Sequence, residues 1–400
     1  MSLTPRKKRF FAALTSLFCL LAALLSLGAA PRAEALQTLS FSVLPEKESV
    51  AAPPPATSAG SMVLLDAGSG NILAEKDADT RRPMASTTKI MTALVVLETM
   101  SPDTIIRVPA AAVGVEGSSV YLFAGEEITI RTLLYALLLS SANDAAEALA
   151  LTVAGSIEAF ADQMNRKAAA LGLADTHFVN PHGLHDEAHY TTARDLARLT
   201  AAALANPAFA EIVASARYSV PQNGTDATRL FLNHNRLLRS YEGTIGVKTG
   251  YTKAAGRCLV SAARRDGLTL IAVTLNDPND WRDHTALHDW GFSQYVALAP
   301  MLPTLSLPVV GGEQSAVALT HGSTPALTLP AAHGEITCKI EAPRFLYAGF
   351  AAGTPVGRAI YTMDGEVLAE VELVTARAAE KESQRRGLWQ KIKDFFGDFI

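Results

Sequence analysis

Apolar and polar positions change period several times along the chain, and each change marks an element. Order begins at "SMVLLD", residues 61–66, an apolar run followed by a Gly-Ser-Gly turn and "NILAEK", which together predict a β-hairpin. After Ser86, the apolar residues Ile90, Met91, Leu94, Val95 and Leu97 recur at helical spacing and predict a helix with one apolar stripe. The stretch "IRTLLYALLLSSANDAAEALALTVAG" reads as two helices broken at "SSAND", because Ser and Asn side chains compete for backbone hydrogen bonds and favour breaks and caps. "SIEAFADQMNRKAAALG" predicts a further helix closed by Gly172, and Thr192 is placed to cap the helix "ARDLARLTAAALA". Between them "VNPHGLHDEAHYTT" has no period and reads as a loop.

The texture then turns to strands. "GTIGVKTG" is one, and "GRCLVSAARRDGLTLIAVTLND" is two joined by an Asp-Gly turn. "WRDHTALHDWGFSQYVAL" reads as a helix packing back. With strands at both ends and helices between, residues 61–297 are expected to form an α/β domain, a mixed sheet flanked by helices rather than a repeated βαβ pattern. Past residue 300, short β segments with Pro and Gly turns predict a small all-β domain over 304–375, with "AIYTMDGEVLAEVEL" its clearest hairpin. Residues 36–60, which include "VAAPPPATSAGS", read as a linker.

The two ends carry patterns of their own. Arg6, Lys7, Lys8 and Arg9, a long apolar stretch and "AEA" at 33–35 make residues 1–35 an export signal. Over residues 380–400, Leu388, Trp389, Ile392, Phe395, Phe396, Phe399 and Ile400 form one apolar stripe. That segment is too short and too charged to span a bilayer; it suits an amphipathic helix lying on a membrane surface, with Arg385 and Arg386 near anionic lipid. The protein is therefore expected outside the cytoplasm, on the outer face of the cytoplasmic membrane.

Composition narrows the function classes. Hydrophobic residues make up 49% of the 400 and charged residues 18%, ample material for a core. Lys+Arg number 35 against Asp+Glu 39, a net charge of -4, which argues against nucleic acid as the main partner. Of the 3 cysteines, Cys19 lies in the signal, and Cys258 and Cys338 are expected to be free, buried thiols.

Three short motifs carry the chemistry. They are Ser86-Thr-Thr-Lys89 at a helix start, Ser141-Ala-Asn143 at a helix break and Lys248-Thr249-Gly250 at a strand end. Alone, S-x-x-K occurs by chance on the order of once in a chain of this length, and K-T-G roughly a tenth of a time. All three in this order and these settings are far less likely to coincide. A serine hydroxyl is a weak nucleophile until a neighbour takes its proton. Residues i and i+3 share a helix face, and a lysine acts as base only when burial or a second cation depresses its pKa.

With "VEGSSVYLFAGEEITIRTLLYALLLSSANDAAEALA", "NPHGLHDEAHYTTARDLARL", "NHNRLL" and "GVKTGYTKAAGRCLV", the chain resembles the low-molecular-mass penicillin-binding proteins, the serine-type D-alanyl-D-alanine carboxypeptidases, over about 61–297. Many members carry Ser-Gly-Asn where this chain has Ser-Ala-Asn. The resemblance implies a β-lactamase/D,D-peptidase-like fold, a peptidoglycan stem peptide as substrate, β-lactam antibiotics as covalent inhibitors, and no cofactor. It implies Ser86 as nucleophile, Lys89 as base, Ser141 as proton relay and Asn143 as holder of the substrate amide and of Lys89. The backbone N–H groups of Ser86 and Tyr251 become the oxyanion hole. Lys248 and Thr249 become the carboxylate site, with Arg282 a weaker candidate, and Gly250 the place where substrate lies along the strand.

Competing readings are a D,D-endopeptidase, a class A β-lactamase and a non-catalytic peptidoglycan-binding protein. A class A enzyme needs a deacylating glutamate in the loop before K-T-G, and Glu187 lacks that setting. His182, His185 and His189 lack the helical spacing of a zinc site, so no metal is expected.

Overall fold

A computed structural model describes residues 36–45, 52–222, 227–298, 302–323 and 327–381. The export signal and nearly all of the amphipathic tail lie outside the described residues. The chain divides into two units, one of residues 46–300 with 326–334, the other of 1–45, 301–325 and 335–400.

The first unit is built on five antiparallel strands, β1 (Ser61–Asp66), β2 (Ile72–Lys76), β3 (Thr244–Thr252), β4 (Gly256–Arg265) and β5 (Leu268–Leu275), in the order β2-β1-β5-β4-β3. β1 is buried at every position because both faces of the sheet are covered. Val63, Leu65, Val260, Ile271 and Val273 enter the large core. Their neighbours Met62, Leu64, Leu270 and Ala272 pack with Leu287 on the other side, the period of two expected of a strand. Asp266 and Gly267, at φ 47° and 82°, make the tight turn that joins β4 to β5.

Against one face lie α1 (Lys89–Thr99), α2 (Ile130–Leu139), α3 (Asn143–Ala154), α4 (Ile157–Ala170), α5 (Ala193–Leu204) and α6 (Pro207–Ala214), and α7 (Asp280–Gln294) covers the other. α1 departs from the expected single stripe. Every residue from Lys89 to Val96 is buried, because five other helices surround it. Thr192 caps α5 as expected, accepting from the Asp195 N–H at 3.1 Å. Gly172 closes α4 at φ 69°. The helix expected through residue 298 stops at Gln294; Tyr295–Leu298 extends instead and pairs with Leu327–Pro330.

The second unit is a seven-stranded sheet in the order Gln37–Leu44, Ile336–Ala342, Pro355–Met363, Glu366–Thr375, Ala316–His321, Ser306–Val310, Leu346–Tyr347. Its first strand corrects the linker reading of 36–60. "QTLSFSVL" alternates, turning Leu39, Phe41 and Val43 toward partial burial, and it pairs antiparallel with Ile336–Ala342. The Pro/Ala composition of the residues that follow had masked that period. A small all-β domain does follow the first unit, though Leu327–Pro330 goes with the first unit. Cys258 and Cys338 are both free and buried.

Candidate active site

Ser86 sits in a single 3₁₀ turn, Ala85–Thr88, that runs directly into α1. The two threonines between Ser86 and Lys89 build that turn. Thr87 Oγ1 donates to the Met84 carbonyl at 2.6 Å and Thr88 Oγ1 to the Ala85 carbonyl at 2.8 Å. His189 locks the turn from behind: its Nδ1 accepts from the Val179 N–H at 3.1 Å, so its Nε2–H faces Thr88 Oγ1 at 2.7 Å. Burial holds that ring neutral, with its pKa lowered to about 4. Ala85 has φ 48°, and its carbonyl lies where a Cβ on Gly183 would sit, 1.9 Å away, so the loop "NPHGL" requires glycine there.

Lys89 is fully buried, and its Nζ meets three oxygens: Ser86 Oγ at 3.0 Å, Asn143 Oδ1 at 2.7 Å and the His182 carbonyl at 2.8 Å. Burial first, and Lys248 second, push its pKa well below the usual lysine range, against a smaller opposing pull from Asp144. In the neutral amine, the two carbonyl oxygens take the N–H groups because they can only accept. The remaining lone pair then faces the one hydroxyl, that of Ser86. This is the geometry of a base poised to take the Ser86 proton.

Ser141 lies between α2 and α3 at φ 58°, buried, and among the described residues its hydroxyl has no protein hydrogen-bond partner. Asn143 opens α3, and both ends of its amide are occupied. Oδ1 holds Lys89, while Nδ2 donates to the Glu116 carbonyl at 2.5 Å. Asp144, the next residue, is buried and gathers the loop before α2. It accepts from Ser119 Oγ at 2.7 Å and from the N–H groups of Val120 and Leu122. Its importance was not visible in the sequence, where it read only as part of a helix break.

The third motif lies on β3, an edge strand of the sheet. Lys248 is buried beneath, with Nζ donating to the Thr249 carbonyl at 2.8 Å, and burial lowers its pKa to about 7. Thr249, Gly250 and Tyr251 line a cleft of about 590 Å³ together with Ser86 and Ser141. Gly250 lines the cleft and also makes room for the serine turn. A Cβ there would lie 3.0 Å from the Ser86 N and 3.2 Å from both Ala85 Cβ and the Met84 carbonyl, so the glycine lets the serine turn press against the strand.

Arg282 is not part of this cleft. It stands on the first turn of α7 with its side chain 85% exposed, 4.0 Å from Asp283. The cations that line the cleft are Arg236, Arg239 and Arg257, none of which the motifs pointed to. Among the described residues the loop histidines do not converge into a ligand cluster. His182 Nδ1 accepts from the Leu184 N–H at 3.2 Å, and its Nε2 lies 3.4 Å from Glu147. Burial lowers the His182 pKa to about 3.

A serine on a helix-leading turn, bonded to a buried lysine and facing a second serine and a sheet edge across one cleft, defines a serine hydrolase of the D,D-peptidase class. The chain belongs to the D-alanyl-D-alanine carboxypeptidase family, which residues 47–279 match. It is 32% identical to the D-alanyl-D-alanine carboxypeptidase DacF of Bacillus subtilis over 85% of this chain and 90% of that protein. It is 31% identical to DacC of Escherichia coli over 86% and 91%. Among solved structures, penicillin binding protein 5 of Haemophilus influenzae matches with a TM-score of 0.67 at 26% identity, covering 83% of this chain and all of that one. The Streptomyces K15 DD-transpeptidase matches with a TM-score of 0.57 at 36% identity, covering 60% and 99%. The protein is a serine D-alanyl-D-alanine carboxypeptidase, a penicillin-binding hydrolase of the cell wall.

Proposed function

We propose that the enzyme removes the terminal D-alanine from peptidoglycan stem peptides through an acyl-enzyme on Ser86. Lys89 takes the Ser86 proton as Oγ attacks the carbonyl between the two D-alanines. The backbone N–H groups of Ser86 and Tyr251 stabilise the oxyanion. Ser141 passes a proton to the departing amine, and water then releases the shortened peptide. Lys248 and Thr249 face the substrate carboxylate. Asn143 acts chiefly by holding Lys89, since its amide nitrogen is already engaged with Glu116. The observation that carries the reading is the Lys89 Nζ, 3.0 Å from Ser86 Oγ with two carbonyl oxygens as its other partners.

Labelling by a fluorescent penicillin, measured beside D-alanine release, tests it. Ser86→Ala is expected to abolish both, and retained turnover in that variant would sink the assignment. The tail of 380–400 is read as a surface anchor that holds the exported enzyme at the outer face of the membrane, supported by its apolar stripe and flanking arginines. Co-sedimentation with anionic liposomes, lost on truncation after Lys381, checks that reading.

A further inference from the structure

The cleft has a cationic wall that the three motifs leave unassigned. Arg257 stands on β4 directly opposite Tyr251, one position diagonal to Thr249, and lines the same cleft as Ser86. Opposed residues of an antiparallel pair share a face, so Arg257 and Thr249 project to the same side of the sheet. The guanidinium is held by Asp280 at the start of α7: Nε donates to Oδ2 at 3.0 Å and Nη2 to Oδ1 at 2.8 Å. Asp280 is nearly buried, at 4% side-chain exposure, whereas Arg257 keeps 44%.

That geometry uses one edge of the fork and leaves the other free. A guanidinium has five N–H donors, and the pairing with Asp280 occupies two on the Nε/Nη2 edge. Both hydrogens of Nη1 and the second of Nη2 remain, and together they match a second carboxylate side by side. Arg236, also on the cleft, lies over the Trp281 ring, 5.9 Å from its centroid, and neither it nor Arg239 has an ion pair among the described residues. Neither has a buried acid fixing its direction as Asp280 fixes Arg257.

We propose that Arg257 is the specificity-determining cation for the C-terminal carboxylate of the substrate, working with Thr249, and that Asp280 is its positioning residue. The inference rests on the carboxypeptidase reading above and gives the leaving D-alanine a partner fixed on the cleft wall, which Arg282 does not line. With the Arg257 fork docked on the carboxylate, the enzyme prefers a free acid over an amide at that end. No bond is made or broken by Arg257 itself.

The experiment compares kcat/KM for a diacetylated Lys-D-Ala-D-Ala peptide with that for its C-terminal amide. Arg257→Leu alone strands the Asp280 carboxylate, so the paired variant Arg257→Leu/Asp280→Asn is measured beside it, with thermal unfolding of both. The paired variant is expected to lose about tenfold or more on the acid and about twofold or less on the amide. Arg257→Lys keeps the charge but loses the fork, and is expected to recover only part of the preference. Arg282→Leu is expected to match wild type on both peptides. An unchanged acid-to-amide ratio in a folded paired variant overturns the proposal, as does a loss of that ratio in Arg282→Leu. A wild-type enzyme that binds penicillin but releases no D-alanine defeats the carboxypeptidase reading instead, so the two failures are told apart.

Discussion

The two halves of the active site are built on opposite plans. The half that carries Ser86 and Lys89 is a turn and helix start locked on every side, with Thr87 through Val96 buried and both threonines bonded backward into the turn. The half that carries Lys248, Thr249 and Gly250 is the rim of a sheet, where Tyr251 is 66% exposed. Their lysines show the same contrast. Lys89 has three oxygen partners drawn from three separate segments, and Lys248 has one, the carbonyl of its own neighbour. The locked half fixes a proton path to within hydrogen-bond tolerance. The open half leaves backbone and side chains free to meet a ligand. On the proposed mechanism the proton transfer falls in the locked half and most of the substrate contact on the sheet rim, where Arg257 is the side chain held in place, by Asp280.

The sharpest way to break that contrast is to remove the proton path without removing the charge. Lys89→Arg keeps a cation in the locked half but cannot release a proton near neutral pH. Its penicillin acylation rate is expected to fall about a thousandfold or more, close to that of Lys89→Ala. An arginine variant within tenfold of wild type would mean that a cation suffices and that no base acts there.

A smaller effect is expected at the seam between the halves. Gly250→Ala puts a methyl group 3.0 Å from the Ser86 N, against backbone that Thr87, Thr88 and His189 hold in place. The turn has to shift by a few tenths of an ångström. Misplacement on that scale is expected to slow acylation by about tenfold, with a stability cost of about 1–3 kcal/mol. Stopped-flow penicillin acylation and thermal unfolding check the two numbers separately. Unchanged acylation would show that the seam is softer than its contacts indicate.

The same contrast explains what the sequence could and could not reveal. Ser86, Lys89, Ser141, Asn143, Lys248 and Thr249 were legible because each lies in a short motif; the fold brings Ser86, Ser141 and Thr249 onto one cleft, with Lys89 and Asn143 bonded behind Ser86 and Lys248 buried under β3. Asp144 and the Arg257–Asp280 pair were not. Asp144 acts on a loop more than twenty residues earlier, and Arg257 meets its partner across 23 residues of chain, separations that no local period reports. The strand Gln37–Leu44 was hidden by its proline-rich neighbour, although its alternation was present. α7 was readable as a helix, but its inner face includes His284 and His288, whose rings bond Ser261 and Thr274 behind the sheet, so its apolar stripe is weak. Motifs report what is close in sequence. Tertiary partners of buried polar groups come only with the fold.

The smallest expected effect concerns Lys248 and is read in stability rather than rate. Burial lowers its pKa from the usual 10.5 to about 7. Below that value the folded and unfolded chains both carry the proton. Between about pH 7 and 10.5 the unfolded chain binds a proton that the folded chain has released, so unfolding takes up a proton and Lys248 makes stability rise with pH across this window. A Lys248→Met variant fills similar space and has no such proton. Urea unfolding followed by fluorescence, to which Trp281 and Trp290 of the first unit contribute, is the measurement. The stability of wild type minus that of the variant is expected to increase by about 2 kcal/mol between pH 7 and pH 9, since each pH unit at one proton of difference contributes about 1.4 kcal/mol. Groups that the Lys248 charge does not reach cancel in the difference, whereas Lys89 and His234, whose pKa values that charge helps to lower, add a change of their own. A difference that stays flat would mean that the Lys248 ammonium is solvated well enough to keep its proton. The open half of the site would then reach deeper under β3 than the burial of Lys248 implies.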